Sequence, residues 1–188
     1  MDNGQRKPII LVIAGPNGSG KTTVTRAIPV IGTYVNADDL KKEYCLTDLE
    51  AAQKAEALRE KLLENGVDFT FETVLSTERN LLLLQKAKSK GYEIHCVYVL
   101  TNDAGINVAR VRMRRSAGGH DVPEDKVRMR YHRALNLLPR LINTCDKIFI
   151  YDNSDSPVLI FKKDYFYSKI FPTNRWPETA LRKILNLS

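Results

Sequence analysis

The residues Gly15-Pro16-Asn17-Gly18-Ser19-Gly20-Lys21-Thr22 satisfy the pattern G-x-x-x-x-G-K-[ST] without a mismatch. A loop of that composition can turn its backbone N–H groups onto phosphate oxygens. Its lysine reaches the β- and γ-phosphates, and its threonine offers a hydroxyl to phosphate-bound Mg²⁺. Gly15 through Thr22, with Thr23 beside them, are therefore the expected cradle of a nucleoside triphosphate. ATP and Mg²⁺ are the expected cofactors, with Thr22 at the metal. Two carboxylates further on, Asp38 and Glu72, follow the next two strand-like runs.

Such a loop works only if a strand delivers it and a helix leads away. Pro8-Ile9-Ile10-Leu11-Val12-Ile13-Ala14 reads as a strand buried on both faces, and Thr22–Ile28 as a first helix. Thr33–Asp38 reads as a second strand ending in acid, Asp48–Asn65 as a helix stopped by Asn65-Gly66, and Asp68–Thr73 as a third strand. Glu78–Lys90 is a helix, Glu93–Leu100 a strand, Val108–Arg115 a helix broken at Gly118-Gly119-His120. A long helix then runs from Pro123 to about Asn143. Lys147–Asp152, Val158–Lys163 and Tyr165–Phe171 read as strands and Pro177–Leu187 as a last helix.

Repeated strand–helix units predict an α/β fold: a P-loop NTPase-like, three-layer α/β/α domain with a mostly parallel central sheet. Ligands bind beyond the carboxyl ends of such strands. The phosphate loop, Asp38 and Glu72-Thr73 should therefore share one crevice. The reading is a single domain over 1–188, with an Arg-rich helical lid at about 106–125 and C-terminal strands and helix over 158–187.

The chain has 188 residues, 43% hydrophobic and 27% charged, which is ordinary for a globular protein. No apolar run approaches the roughly 18 residues of a membrane span, and the first residues lack a signal peptide's apolar centre, so a cytoplasmic protein is expected. Cys45, Cys96 and Cys145, odd in number and without C-x-x-C spacing, read as reduced thiols. The net charge is +7, and residues 106–140 carry most of it, with nine Lys/Arg against three acids, a net of +6. Placed beside a Gly-Gly break, that segment suggests a mobile lid closing guanidinium groups onto a transferring phosphoryl. A guanine-reading N-K-x-D motif is absent, the length is short for an AAA+ module, and no apolar run ends in paired acids after the loop. These points weaken GTPase, AAA+ and motor readings.

The ordered set Gly15–Thr22, Asn36-Ala37-Asp38, Phe71-Glu72-Thr73-Val74-Leu75-Ser76, Gly118-Gly119-His120-Asp121-Val122-Pro123 and Tyr151-Asp152-Asn153-Ser154 resembles the short zeta-toxin-like branch of P-loop kinases. It spans about three quarters of the chain. The resemblance implies a kinase that phosphorylates the amino-sugar 3′-hydroxyl of UDP-N-acetylglucosamine, and a small antitoxin protein as inhibitory partner. Because only eight residues precede the first strand, that partner is expected to be a separate chain.

Carried over by position, Lys21 matches the loop lysine and Asp38 the residue that activates the acceptor hydroxyl. Helix capping is the other reading open to Asp38. Asp39 is adjacent, but successive residues point apart, so only one of the two faces the γ-phosphate. Glu72 matches an active-site glutamate. Arg110 and Arg114 are the expected catalytic lid arginines, and Asn153 the expected nucleotide contact beyond the loop. Lys41, Glu72, Thr73, Ser76 and His120, with Asp38, make the expected acceptor-binding set. Two departures stand out. His120 occupies a position that is arginine in zeta toxins, and no arginine follows Glu72-Thr73 where the toxins use one to hold the UDP-sugar.

The alternatives are a kinase for another nucleotide, metabolite or nucleic-acid end, and a nucleic-acid-associated nucleotide switch. The latter draws on Phe161-Lys162-Lys163-Asp164-Tyr165-Phe166-Tyr167-Ser168-Lys169, where aromatics mix with lysines, although aromatics in a strand more commonly pack a core. Trp176 is expected to cap the core rather than dock a partner.

Overall fold

The computed structural model describes residues 6–26, 28–116 and 122–187. Its centre is β1 (Ile9–Ala14), whose six apolar residues lie between β3 (Phe69–Thr73) and β4 (Glu93–Leu100), both parallel to it. β2 (Thr33–Val35) pairs with β3, and β5 (Lys147–Asp152) pairs with β4, again in parallel. β6 (Val158–Asp164) and β7 (Tyr167–Ile170) then turn back antiparallel, giving the order β2-β3-β1-β4-β5-β6-β7. The expected α/β architecture with a mostly parallel sheet is thus present. The five parallel strands end at one rim, where the candidate site is built.

Alternation along the strands sorts the core. Ile10 and Val12 of β1, Phe69 and Phe71 of β3, and Ile94, Cys96 and Tyr98 of β4 point to one face. There they join residues of α3 (Asp48–Glu64), α4 (Arg79–Ser89), α6 (Glu124–Thr144) and α7 (Glu178–Leu185) in one continuous cluster. Trp176 belongs to it and is 6% exposed, so it caps the core as expected. Leu11 and Ile13 face the other side, where α1 (Lys21–Thr25) lies against β1 and β4. Among the described residues, no helix is long and apolar enough to cross a membrane. Cys96 and Cys145 are buried free thiols, and Cys45 is an exposed one.

Several boundaries differ from the sequence reading. The second strand stops at Val35, and α2 (Ala37–Tyr44) follows at once, a helix absent from that reading. Asn36 caps it, its side-chain oxygen accepting from the Asp38 amide at 2.8 Å, and Asp38 and Asp39 sit in the first turn. Asp38 is therefore an early helical residue, not the cap. α5 (Ala104–Ser116) begins four residues before Val108, started by Asp103, whose carboxylate accepts from the Gly105 amide. α1 is shorter than expected and ends at Thr25.

Candidate active site

The phosphate loop leaves β1 and enters α1 through Gly20, whose φ of 83° is open to glycine at little cost. The Gly15 amide donates to Thr73 O, which anchors the start of the loop on β3, and Ser19 N donates to Pro16 O within the loop. Lys21 Nζ lies across the loop and donates to Gly15 O at 2.9 Å and Pro16 O at 3.4 Å. Thr22 and Thr23 are exposed in the first turn of α1.

The surroundings of Lys21 identify the rest of the site. Burial pushes its ammonium below the ordinary lysine value; the Glu72 carboxylate opposes that shift, Arg114 adds to it, and Asp38 opposes it. Asp38, Glu72 and Arg114 thus act on one ammonium although they come from α2, β3 and α5.

The acceptor side is organised by a residue the sequence reading passed over. The Tyr34 hydroxyl donates to Glu72 Oε1 and accepts from Asn36 Nδ2 at 3.1 Å. Asn36 also caps α2, so one short network fixes both Glu72 and the turn carrying Asp38. Tyr34 reads in sequence as an ordinary strand aromatic, and only the β2–β3 register reveals its role.

The other residues expected on the acceptor side make the following contacts. Lys41 Nζ pairs with Asp48 at 2.6 Å, linking α2 to the start of α3. The Thr73 hydroxyl is buried and accepts from Leu75 N at 2.9 Å and Asn80 Nδ2 at 2.8 Å, shaping the turn after β3. Ser76 lies half-buried in that same connection. His120 falls outside the described residues.

The arginines expected to belong to a lid divide. Arg114 acts on Lys21. Arg110 instead donates through Nη1 to Asn153 O at 2.7 Å and through Nη2 to Ser154 O at 3.1 Å, so it ties α5 to the end of β5. Arg112 and Arg128 both pair with Glu124, joining α5 to α6. Asn153 is buried, and its side chain contacts the loop rather than standing free for a nucleotide. Nδ2 donates to Ser19 O at 2.8 Å. Asn107 of α5 does the same at Asn17 O, at 2.6 Å, and Arg130 of α6 reaches Asn17 Oδ1 at 3.3 Å. No motif marks Asn107 in the sequence.

Among the described residues no group of three or more His, Cys, Asp or Glu side chains could hold a metal. A Mg²⁺ held by a single threonine hydroxyl and phosphate oxygens fits this donor set, because Mg²⁺ commonly keeps waters and takes few protein ligands. Away from the site, the aromatic–lysine run divides: Phe161 is buried in the core, whereas Tyr165, Phe166 and Tyr167 are exposed at the β6–β7 turn.

The zeta toxin family model matches residues 28–164, a stretch that begins beyond the phosphate loop. An uncharacterized protein of Haemophilus influenzae is 30% identical over 126 residues, covering 62% of this chain and 88% of the relative. Among solved structures, one from the PezAT chromosomal toxin–antitoxin system of Streptococcus pneumoniae is similar, with a TM-score of 0.58 and 20% identity. The match covers all of this chain and 83% of that one. The AvrRxo1-ORF1:-ORF2 structure with ATP gives a TM-score of 0.73 at 14% identity, covering 97% of this chain and 64% of that one. At these identities the structural matches show a shared fold.

Proposed function

We propose, on the premise that this chain belongs to the zeta toxin family, that it is an ATP- and Mg²⁺-dependent kinase for a small hydroxyl-bearing acceptor, a UDP-sugar such as UDP-N-acetylglucosamine being the first candidate. The observation that carries the reading is geometric: the Gly15 amide donates to Thr73 O, so the phosphate loop starts beside Glu72, and Tyr34 and Asn36 tie Glu72 to the turn that carries Asp38. The loop amides left free by the loop's own hydrogen bonds, those of Gly18 and Gly20 among them, would bind the triphosphate together with Lys21, and Thr22 would contact Mg²⁺, which when bound neutralises charge on the phosphate oxygens. Asp38 would take the acceptor hydroxyl's proton as its oxygen bonds to the γ-phosphorus and the bond to the β–γ bridging oxygen breaks. Glu72, oriented by Tyr34, would hold the acceptor. Arg114 would stabilise charge on the phosphoryl in flight. A separate antitoxin protein is proposed as inhibitory partner, in keeping with the toxin–antitoxin source of the pneumococcal structure.

A second reading, a kinase for another nucleotide, metabolite or nucleic-acid end, is favoured by the absence of arginine in Glu72-Thr73-Val74-Leu75-Ser76. One experiment separates the two: incubation with Mg²⁺, ATP and a panel of UDP-sugars, nucleotides and oligonucleotide ends, read by ADP release and product mass. A phosphate gained by UDP-N-acetylglucosamine and lost in Asp38→Asn supports the first reading. Phosphorylation confined to another acceptor selects the second. ADP release that is unchanged in Asp38→Asn, with no modified acceptor, overturns both.

A further inference from the structure

A phosphate loop binds through N–H groups, so what keeps those groups pointing inward is part of its function. In a planar trans peptide the C=O of one residue is antiparallel to the N–H of the next. Fixing the carbonyl of Asn17 therefore fixes the amide of Gly18, and fixing the carbonyl of Ser19 fixes the amide of Gly20. Both carbonyls are held from behind. Asn107 Nδ2 donates to Asn17 O at 2.6 Å, and Asn153 Nδ2 donates to Ser19 O at 2.8 Å.

We infer that Asn107 and Asn153 are positioning residues of the phosphate loop, two buried amides that hold the Asn17–Gly18 and Ser19–Gly20 peptides in the phosphate-binding orientation. The inference rests on the reading of the loop as a triphosphate site. Each amide is itself held firmly. Asn107 is fully buried, and its side-chain oxygen accepts from the Thr101 hydroxyl. Asn153 is 4% exposed, its backbone amide donates to Leu100 O at 2.8 Å, and its carbonyl accepts from Arg110. Neither peptide would stay in place unaided, because Gly18 and Gly20 have positive φ values of 75° and 83° and glycine crosses between the two signs of φ readily.

The loop packs tightly onto its supports. A Cβ at Gly18 would meet Asn107 O at 2.4 Å, and one at Gly20 would meet Asn153 Nδ2 at 2.1 Å. Glycine is thus required where the two asparagines approach. Asn107 shares α5 with Arg110 and Arg114, so the helix that carries the lid arginines also sets the loop. Arg110 reaches the second clamp through the Asn153 carbonyl. Loop and lid helix form one braced unit.

The test uses Asn153→Leu and Asn107→Leu, which keep side-chain size and remove the donor without adding charge. Loop mobility at Gly18 and Gly20 is followed by ¹⁵N relaxation order parameters in the ATP-free protein, and ATP–Mg²⁺ affinity by calorimetry. Asn153→Leu should lower the order parameter at Gly20, and Asn107→Leu at Gly18, with β1 and β4 amides unchanged. ATP affinity should fall by about tenfold, as befits one buried hydrogen bond. A purely structural role would lower global stability without singling out these two amides. If Asn107→Leu fails to fold, Asn153→Leu carries the test alone. Folded variants with unchanged loop order parameters and unchanged ATP affinity would overturn the inference. A wild-type chain that binds no ATP, but whose Gly18 and Gly20 amides become more mobile in the variants, would overturn the triphosphate reading and leave the clamp standing.

Discussion

The Tyr34 hydroxyl and the Glu72 carboxylate are diagonal neighbours on one face of the β2–β3 pair, and the hydroxyl donates to Oε1. Tyr34 stands opposite Thr70 in the register, which puts Glu72 two residues further along the same face. Burial first, and then the hydrogen bond to Glu72, push the tyrosine's pKa well above its ordinary value. The hydroxyl therefore remains a donor across the pH range in which an enzyme operates. Tyr34→Phe should raise the acceptor KM by about fivefold to tenfold, by an equal factor at pH 6 and pH 9. A defect that changes between those pH values would argue against a permanently protonated donor.

Lys21 gives a prediction of opposite sign for stability and function. Burial lowers its pKa, so between that lowered value and the ordinary 10.5 the unfolded chain binds more protons than the folded one, and folding stability rises with pH through that window. Below it, the buried ammonium is a standing cost. Lys21→Met should raise the melting temperature of the ATP-free protein at pH 7 by about 2–4 °C, the equivalent of roughly 1 kcal/mol in a chain of this size. The same variant should lose the stabilisation that ATP gives the wild type. Thermal denaturation with and without Mg²⁺–ATP checks both, and a drop in the melting temperature of the ATP-free variant would contradict the burial argument.

Gly18→Ala places a methyl 2.4 Å from the Asn107 carbonyl oxygen at a backbone φ of 75°. Left-handed strain costs about 1–2 kcal/mol, and the facing atom is helix backbone that cannot rotate away. A loss of about 3 kcal/mol in urea denaturation is expected, with ATP binding impaired in parallel. Wild-type stability in this variant would mean that α5 shifts freely, which the braced loop forbids.

Asp146 supplies an acid-sensitive contact far from the site. Burial would raise its pKa, but the Lys88 ammonium at 2.6 Å and the Ile94 amide at 2.8 Å outweigh it and hold the carboxyl below the usual aspartate value of 3.8. A lowered folded pKa contributes stability that is present above 3.8 and is lost as pH falls through the folded value. Asp146→Asn should be about 1 kcal/mol less stable than wild type at pH 7, and the gap should close in strong acid. Chemical denaturation at several pH values measures it.

How much of this was legible in the sequence varied with the kind of signal. Glu93–Leu100 and Lys147–Asp152 were readable to the residue because β-prone apolar stretches bounded by turns leave little choice. The phosphate loop was readable because its chemistry fixes its residue types. α2 was not, because it buries no residue completely and so shows no clear apolar stripe, although Asn36 followed by two acids was a capping signal that could have found it. Arg110 and Lys41 look in sequence like free cations. Whether a cation meets a phosphate, a carbonyl or a carboxylate depends on tertiary neighbours that spacing does not encode. Asn107 and Asn153 show the same limit from the other side: their amides act on the loop from 90 and 134 residues away.

Those separations have a consequence for synthesis. The loop leaves the ribosome well ahead of its braces, which arrive with Asn107, Arg130 and Asn153, the last directly after β5 completes the parallel strands. Contacts this distant form late in folding. A nascent chain stalled before Asn153 would carry the complete phosphate-loop motif and still lack one of the braces that hold its amides inward, so competence to bind a nucleotide is delayed until the last parallel strand is in place.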